Sequence, residues 1–112
     1  MAVDQGNSID LMSFDKVTGE VVLTISDHLE WDKEGEHQRV LQAKFNAYFT
    51  FVESGEIVRR YPEASNHPIV FRLVMKYKPD REGRSFLNRA RTIVETAGFH
   101  FREELFAESY NN

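Results

Sequence analysis

Glu20-Val21-Val22-Leu23-Thr24-Ile25-Ser26 runs directly into Asp27-His28-Leu29-Glu30-Trp31-Asp32, and the boundary between the two stretches decides how the chain is read. In the first stretch Val21, Leu23 and Ile25 share one side of an extended backbone, because successive side chains of a strand point to opposite faces. Upstream, Ile9, Leu11 and Ser13 alternate with Asp10, Met12 and Phe14, and Asp15-Lys16-Val17-Thr18-Gly19 supplies a turn ending in glycine. The two alternating runs predict an antiparallel hairpin. The second stretch has no such period and leads into a change of pattern.

From His37 onward Leu41, Phe45, Tyr48, Phe49 and Val52 recur at helical spacing, and Gly55 stands where a left-handed residue ends the helix near Ser54. Glu56 to His67 reads as a polar connection with room for one short helical turn. Ile69 to Tyr77 alternates again, with Ile69, Phe71, Leu73, Met75 and Tyr77 on one face and Val70 and Val74 on the other, as expected of a central strand. Pro79-Asp80 opens a second helix whose expected apolar stripe is Phe86, Ala90, Ile93, Val94 and Ala97, closed by Gly98. Phe99, Phe101 and Leu105 form a last strand.

The order β-β-α-β-α-β predicts a two-layer α/β (or α+β) sandwich: a four-stranded mixed sheet with two helices on one face, since right-handed crossovers place both helices on the same side. Strand order is open at this level, and an all-antiparallel sheet is the competing arrangement. Residues 9–107 form one domain, residues 1–8 are expected to be a disordered leader, and residues 108–112 a polar tail. Phe45, Phe49, Phe71, Leu73, Phe86 and Ile93 are the expected common core, and Gly55 and Gly98 are expected at positive φ. Phe51, Tyr61, Phe106 and Tyr110 fit these faces less well and are expected to be partly exposed.

Composition narrows the chemistry. The 112 residues contain no cysteine, which excludes disulfides, iron–sulfur clusters, thiolate zinc and a cysteine nucleophile. No apolar run approaches the roughly 20 residues of a membrane span, and Met1 to Ser8 lacks a basic-then-apolar secretory pattern, so the expected location is the cytoplasm. Net charge is −4, unevenly spread: residues 1–56 hold 11 acids and 4 bases, residues 57–112 hold 7 acids and 10 bases. Arg81, Arg84, Arg89 and Arg91 could touch phosphate, but the acidic whole and the lack of a nucleic-acid motif favour a solvated helix face over a nucleic-acid partner.

The densest polar cluster is Asp27, His28, Glu30, Trp31 and Asp32, which follows a strand end where ligands of open α/β sheets collect. If the crossovers are parallel, Lys76, Tyr77 and Lys78 lie beside it. One reading has Asp27 or Glu30 orienting His28 as a general base. The other has Trp31 folding back onto the core and Asp27 or Asp32 capping the next helix. No nucleophile motif or glycine-rich anion loop accompanies the cluster, and His28 and His37 lack a metal-ligand spacing, so neither a cofactor nor a metal is expected.

Ser8-Ile9-Asp10-Leu11-Met12-Ser13-Phe14-Asp15, then Thr18-Gly19-Glu20-Val21-Val22-Leu23-Thr24-Ile25-Ser26-Asp27-His28-Leu29-Glu30-Trp31, with Phe51-Val52-Glu53-Ser54-Gly55-Glu56, Tyr61-Pro62 and Ala97-Gly98-Phe99, resembles a family of small bacterial proteins of unknown function. The resemblance implies a bacterial single-domain protein and carries no catalytic residues with it. Two function classes remain. The first is a non-enzymatic module binding another protein, basic in character, through the acidic segment Asp27 to Glu36; an immunity protein neutralising a toxin is one example. The second is a small enzyme or ligand binder using a crevice around Asp27, His28 and Trp31. A homo-oligomer is compatible with either.

Overall fold

A computed structural model describes residues 11–32 and 34–106; the expected leader and tail, Ile9, Asp10 and Tyr110 lie outside the described residues. The hairpin forms from β1 (Leu11–Asp15) and β2 (Glu20–Asp27), paired antiparallel with Phe14 opposite Val21. Its turn is closed from within: Asp15 accepts the N–H groups of Val17 at 2.9 Å and Thr18 at 3.3 Å, and Gly19 completes it at φ 76°. These N–H groups, with Thr18 first, hold the Asp15 carboxyl below the usual aspartate range.

Helix α1 (Glu36–Glu53) carries the chain from β2 to β3 (Ile69–Met75), and α3 (Arg81–Thr96) carries it to β4 (His100–Leu105). The sheet order is β1-β2-β3-β4, with β2, β3 and β4 mutually parallel. The mixed sheet expected from the sequence is therefore present, and the all-antiparallel alternative is excluded. The polar connection holds the short helix α2 (Glu56–Arg60) and a 3-10 turn at Pro62–Ala64.

Both long helices stop for the same stereochemical reason. Gly55 and Gly98 stand just past them at φ 86° and 98°, in the left-handed region that glycine occupies without a Cβ clash. After α3 the Gly98 N–H reaches the Glu95 carbonyl at 3.0 Å and the Phe99 N–H the Val94 carbonyl at 3.1 Å, which takes up two carbonyls the helix leaves unpaired.

The core lies between the sheet and the helices. Val21, Leu23, Ile25, Phe71 and Leu73 are buried there beneath Leu41, Phe45, Tyr48, Phe86, Leu87 and Val94. Phe71 stacks on Phe99 at 5.7 Å and meets Phe49 at 5.2 Å. Of the six expected core residues, Phe45, Phe71, Leu73 and Phe86 are buried and Phe49 packs against them half-exposed. Ile93 is a correction: it is 56% exposed and faces the groove between α1 and α3, while Leu87, one position beyond Phe86, takes the buried place. The buried stripe of α3 runs Gly83, Phe86, Leu87, Ala90 and Val94, so the helix is rotated relative to the stripe expected from Ile93 and Ala97. Phe51 is also buried and Tyr61 half-buried, each with the Arg60 guanidinium within 6 Å of its ring, whereas Phe106 is exposed as expected.

The opposite sheet face carries ion pairs in place of a second helix layer. Arg72 grips Glu104 through two hydrogen bonds of 2.8 Å, and Arg102 of β4 reaches Glu20 of β2 at 2.7 Å, crossing over the fully buried Val70 of β3. At the β4 edge, Arg91 of α3 donates to the outward-facing Phe101 carbonyl at 3.0 Å and to Glu103 at 3.0 Å.

Two outcomes are expected. Gly98→Ala should cost on the order of 1 kcal/mol, because a Cβ there meets no neighbour and pays only the backbone strain; urea unfolding measures it. The Arg72 hydrogen bonds hold the Glu104 carboxyl below its ordinary value of 4.5, so its contribution to stability is present above that value and lost as the pH falls through the lowered one. Urea midpoints between pH 7 and pH 3 should therefore fall less for Glu104→Gln than for the unchanged chain.

Candidate functional site

Of the residues expected to form a site, Asp27, Trp31 and Asp32 come together at the carboxyl end of β2 and are withdrawn from solvent. Asp27 ends the strand fully buried. One carboxylate oxygen accepts the Leu29 N–H at 3.1 Å, and the other lies 2.6 Å from Nε2 of His37 in the first turn of α1. A carboxylate only accepts, so Nε2 carries the hydrogen and donates it. His37 Nδ1 is buried with no hydrogen-bond partner among the described residues.

Trp31 covers this pair. Its ring lies 3.9 Å from the His37 ring, and its Nε1–H donates to the Tyr77 carbonyl beyond β3 at 3.3 Å. On its other side it meets Gly83 in the first turn of α3, where a Cβ would stand 2.6 Å from the indole. Asp32 takes up the start of α1, accepting the N–H groups of Glu36 at 3.3 Å and His37 at 3.1 Å. A carboxylate at these first-turn donors also suits the helix dipole. The inward-folded reading of Trp31 and the helix-end reading of Asp32 describe this geometry.

The catalytic pairing does not form. Asp27 is engaged with His37 ten residues away, and His28 and Glu30 point to solvent, with no hydrogen bond between Asp27 or Glu30 and His28 among the described residues. Parallel strands do bring the third strand's end alongside: the Lys76 N–H donates to the Asp27 carbonyl at 2.8 Å. The Lys76 side chain is exposed, its Nζ 5.5 Å from the Tyr77 ring, and Lys78 lies beyond Trp31 on the β4 side. The strand order explains the closed site: it runs β1 to β4 without reversal, so there is no switch point to open a crevice. Among the described residues no three histidines or carboxylates converge to hold a metal.

Over residues 1–107 the sequence matches the model of a family of unknown function, DUF6572. The chain belongs to that family. No curated protein and no solved structure was found to match it. Membership of DUF6572 agrees with a small single-domain fold and assigns no activity. Among the described residues no helix is long and apolar enough to cross a membrane.

His37 and Gly83 are the members of this cluster that sequence reasoning overlooked. His37 looked like the first residue of an amphipathic helix, and its pairing is set by the path of a loop. Gly83 did leave a signal: a glycine inside a helical pattern lowers helix propensity and calls for a packing reason. Gly83→Ala should destabilise by about 1 to 3 kcal/mol, although alanine is the better helix former by about 1 kcal/mol, because the added carbon collides with Trp31. Urea unfolding followed by emission of Trp31, the single tryptophan, measures both the loss and the disturbed indole.

Proposed function

We propose that this protein is a non-enzymatic protein-binding module that docks a basic partner through the exposed acids of the loop between β2 and α1, Glu30, Glu34 and Glu36. The observation that carries the reading is how the loop is held. Among the described residues Asp27, Trp31 and His37 are packed inward and Asp32 accepts N–H groups at the helix start, so these residues are tied to the fold while Glu30, Glu34 and Glu36 face solvent. A loop already fixed in position loses little freedom on binding, and unspent charges at its surface speed the encounter with an oppositely charged partner. Of these three acids only Glu36 has an ion-pair partner among the described residues, the exposed Arg39 at 2.8 Å. An immunity-type role, with a basic toxin as partner, is one instance of this chemistry. Asp27 drops out of the expected docking surface because it is buried.

The enzyme or small-ligand reading around Asp27, His28 and Trp31 loses support from the same geometry, since Asp27 and Trp31 pack against His37 and His28 has no orienting carboxylate among the described residues. The test is capture from the native cell with the full chain, followed by association kinetics of the captured protein at low and moderate salt. A Glu30→Gln, Glu34→Gln, Glu36→Gln variant should associate about tenfold more slowly and with a flatter salt dependence, while His28→Ala should behave like the unchanged chain. Equal association rates for the triple variant would remove the docking role. Loss of a small-molecule turnover in His28→Ala would establish the alternative.

A further inference from the structure

On the β4 side of Trp31 the same edge of the sheet holds an open cleft of about 500 Å³, at the carboxyl ends of β3 and β4. Its apolar wall is Pro79 and Leu105, with the buried Met75 at its base. Its charged groups divide by whether they are already engaged. The three acids are: Asp80 accepts the Gly83 N–H at 2.7 Å, Glu103 accepts from Arg84 and Arg91, and Glu104 is held by both arms of Arg72. Arg84 is thereby engaged too. Lys78 and Arg81 are exposed, and neither makes a hydrogen bond or ion pair among the described residues. The start of α3 adds little, because the Asp80 carboxylate already stands there and accepts the Gly83 N–H, so the two unengaged cations set the field of the cleft.

We propose that this cleft binds a small organic anion in which an acidic head group, a carboxylate or a phosphate monoester, is joined to a compact apolar body. Lys78 and Arg81 take the head group and the wall of Pro79 and Leu105 takes the body. The volume falls among those of small-molecule sites, and the mixture of an apolar wall with a few placed charges is their usual composition. A head group alone would leave the wall wetted, and a neutral apolar molecule would leave both cations unanswered. The site lies apart from the docking acids and does not depend on them.

The full chain, labelled with ¹⁵N, is titrated with phenyl phosphate, benzoate, inorganic phosphate and benzyl alcohol while backbone amide shifts are followed. Saturable shifts clustered at Lys78, Arg81, Arg84 and Leu105 are expected with at least one of the two organic anions, and the tighter of them identifies the head group. Inorganic phosphate and benzyl alcohol should each bind at least tenfold more weakly. Lys78→Gln with Arg81→Gln should weaken the organic anion at least tenfold with the urea midpoint and Trp31 emission unchanged, since both side chains are exposed, and the glutamate triple variant should bind it normally. No saturable shift with either organic anion, shifts centred elsewhere, equal binding of benzyl alcohol or inorganic phosphate, or an unaffected double variant would each overturn the proposal.

Discussion

One indole ring holds the carboxyl end of this sheet together. Trp31 lies on His37 from α1, donates to the backbone beyond β3, and rests on the bare Cα of Gly83 in α3, so a loop residue fixes the relation of both long helices to the strands. Beneath it the Asp27–His37 contact ties the last residue of β2 to the first turn of α1. A buried carboxylate is tolerated only with partners that replace its water, and here an imidazole and the Leu29 N–H supply them. Over β2 the carboxyl end of the sheet, where an open α/β sheet often receives a ligand, is thus occupied by the protein's own side chains.

What could be read in advance follows from period. Strands β2 and β3 and both helices announce themselves by alternation or by 3.6-residue spacing, and Gly55 and Gly98 by their position after the last apolar turn. The rotation of α3 was beyond that reasoning. Phe86 and Ile93 lie seven residues apart on nearly the same face, yet Phe86 is buried against Phe45 while Ile93 stays exposed at the rim of the groove between α1 and α3. The partner of Asp27 was hidden for a related reason: a loop between two periodic segments has no repeat from which its path can be read, so adjacency to His28 was a poor guide to contact with His37. The site expected around His28 was therefore legible as a concentration of polar residues, and its arrangement was not.

The charge asymmetry of the chain resolves into two different uses. Four bases of the second half are engaged by acids across the sheet and α3, Arg72 with Glu104, Arg84 and Arg91 with Glu103, and Arg102 with Glu20. Several acids of the first half stay at the surface of an anchored loop. The free cations Lys78 and Arg81 lie on the far side of Trp31, so the carboxyl edge of the sheet carries acids over β2 and bases over β3 and β4.

The Arg91 guanidinium has a consequence for what the sheet cannot become. β4 is an outer strand, and its Phe101 carbonyl points away from β3, where a strand from another molecule would seek its first acceptor. That acceptor is taken by a side chain held at the same time by Glu103, so each chain joining a growing fibre through this edge would have to break a charge-assisted contact before making a backbone one. The barrier is electrostatic and therefore screened, so concentrated salt lowers it.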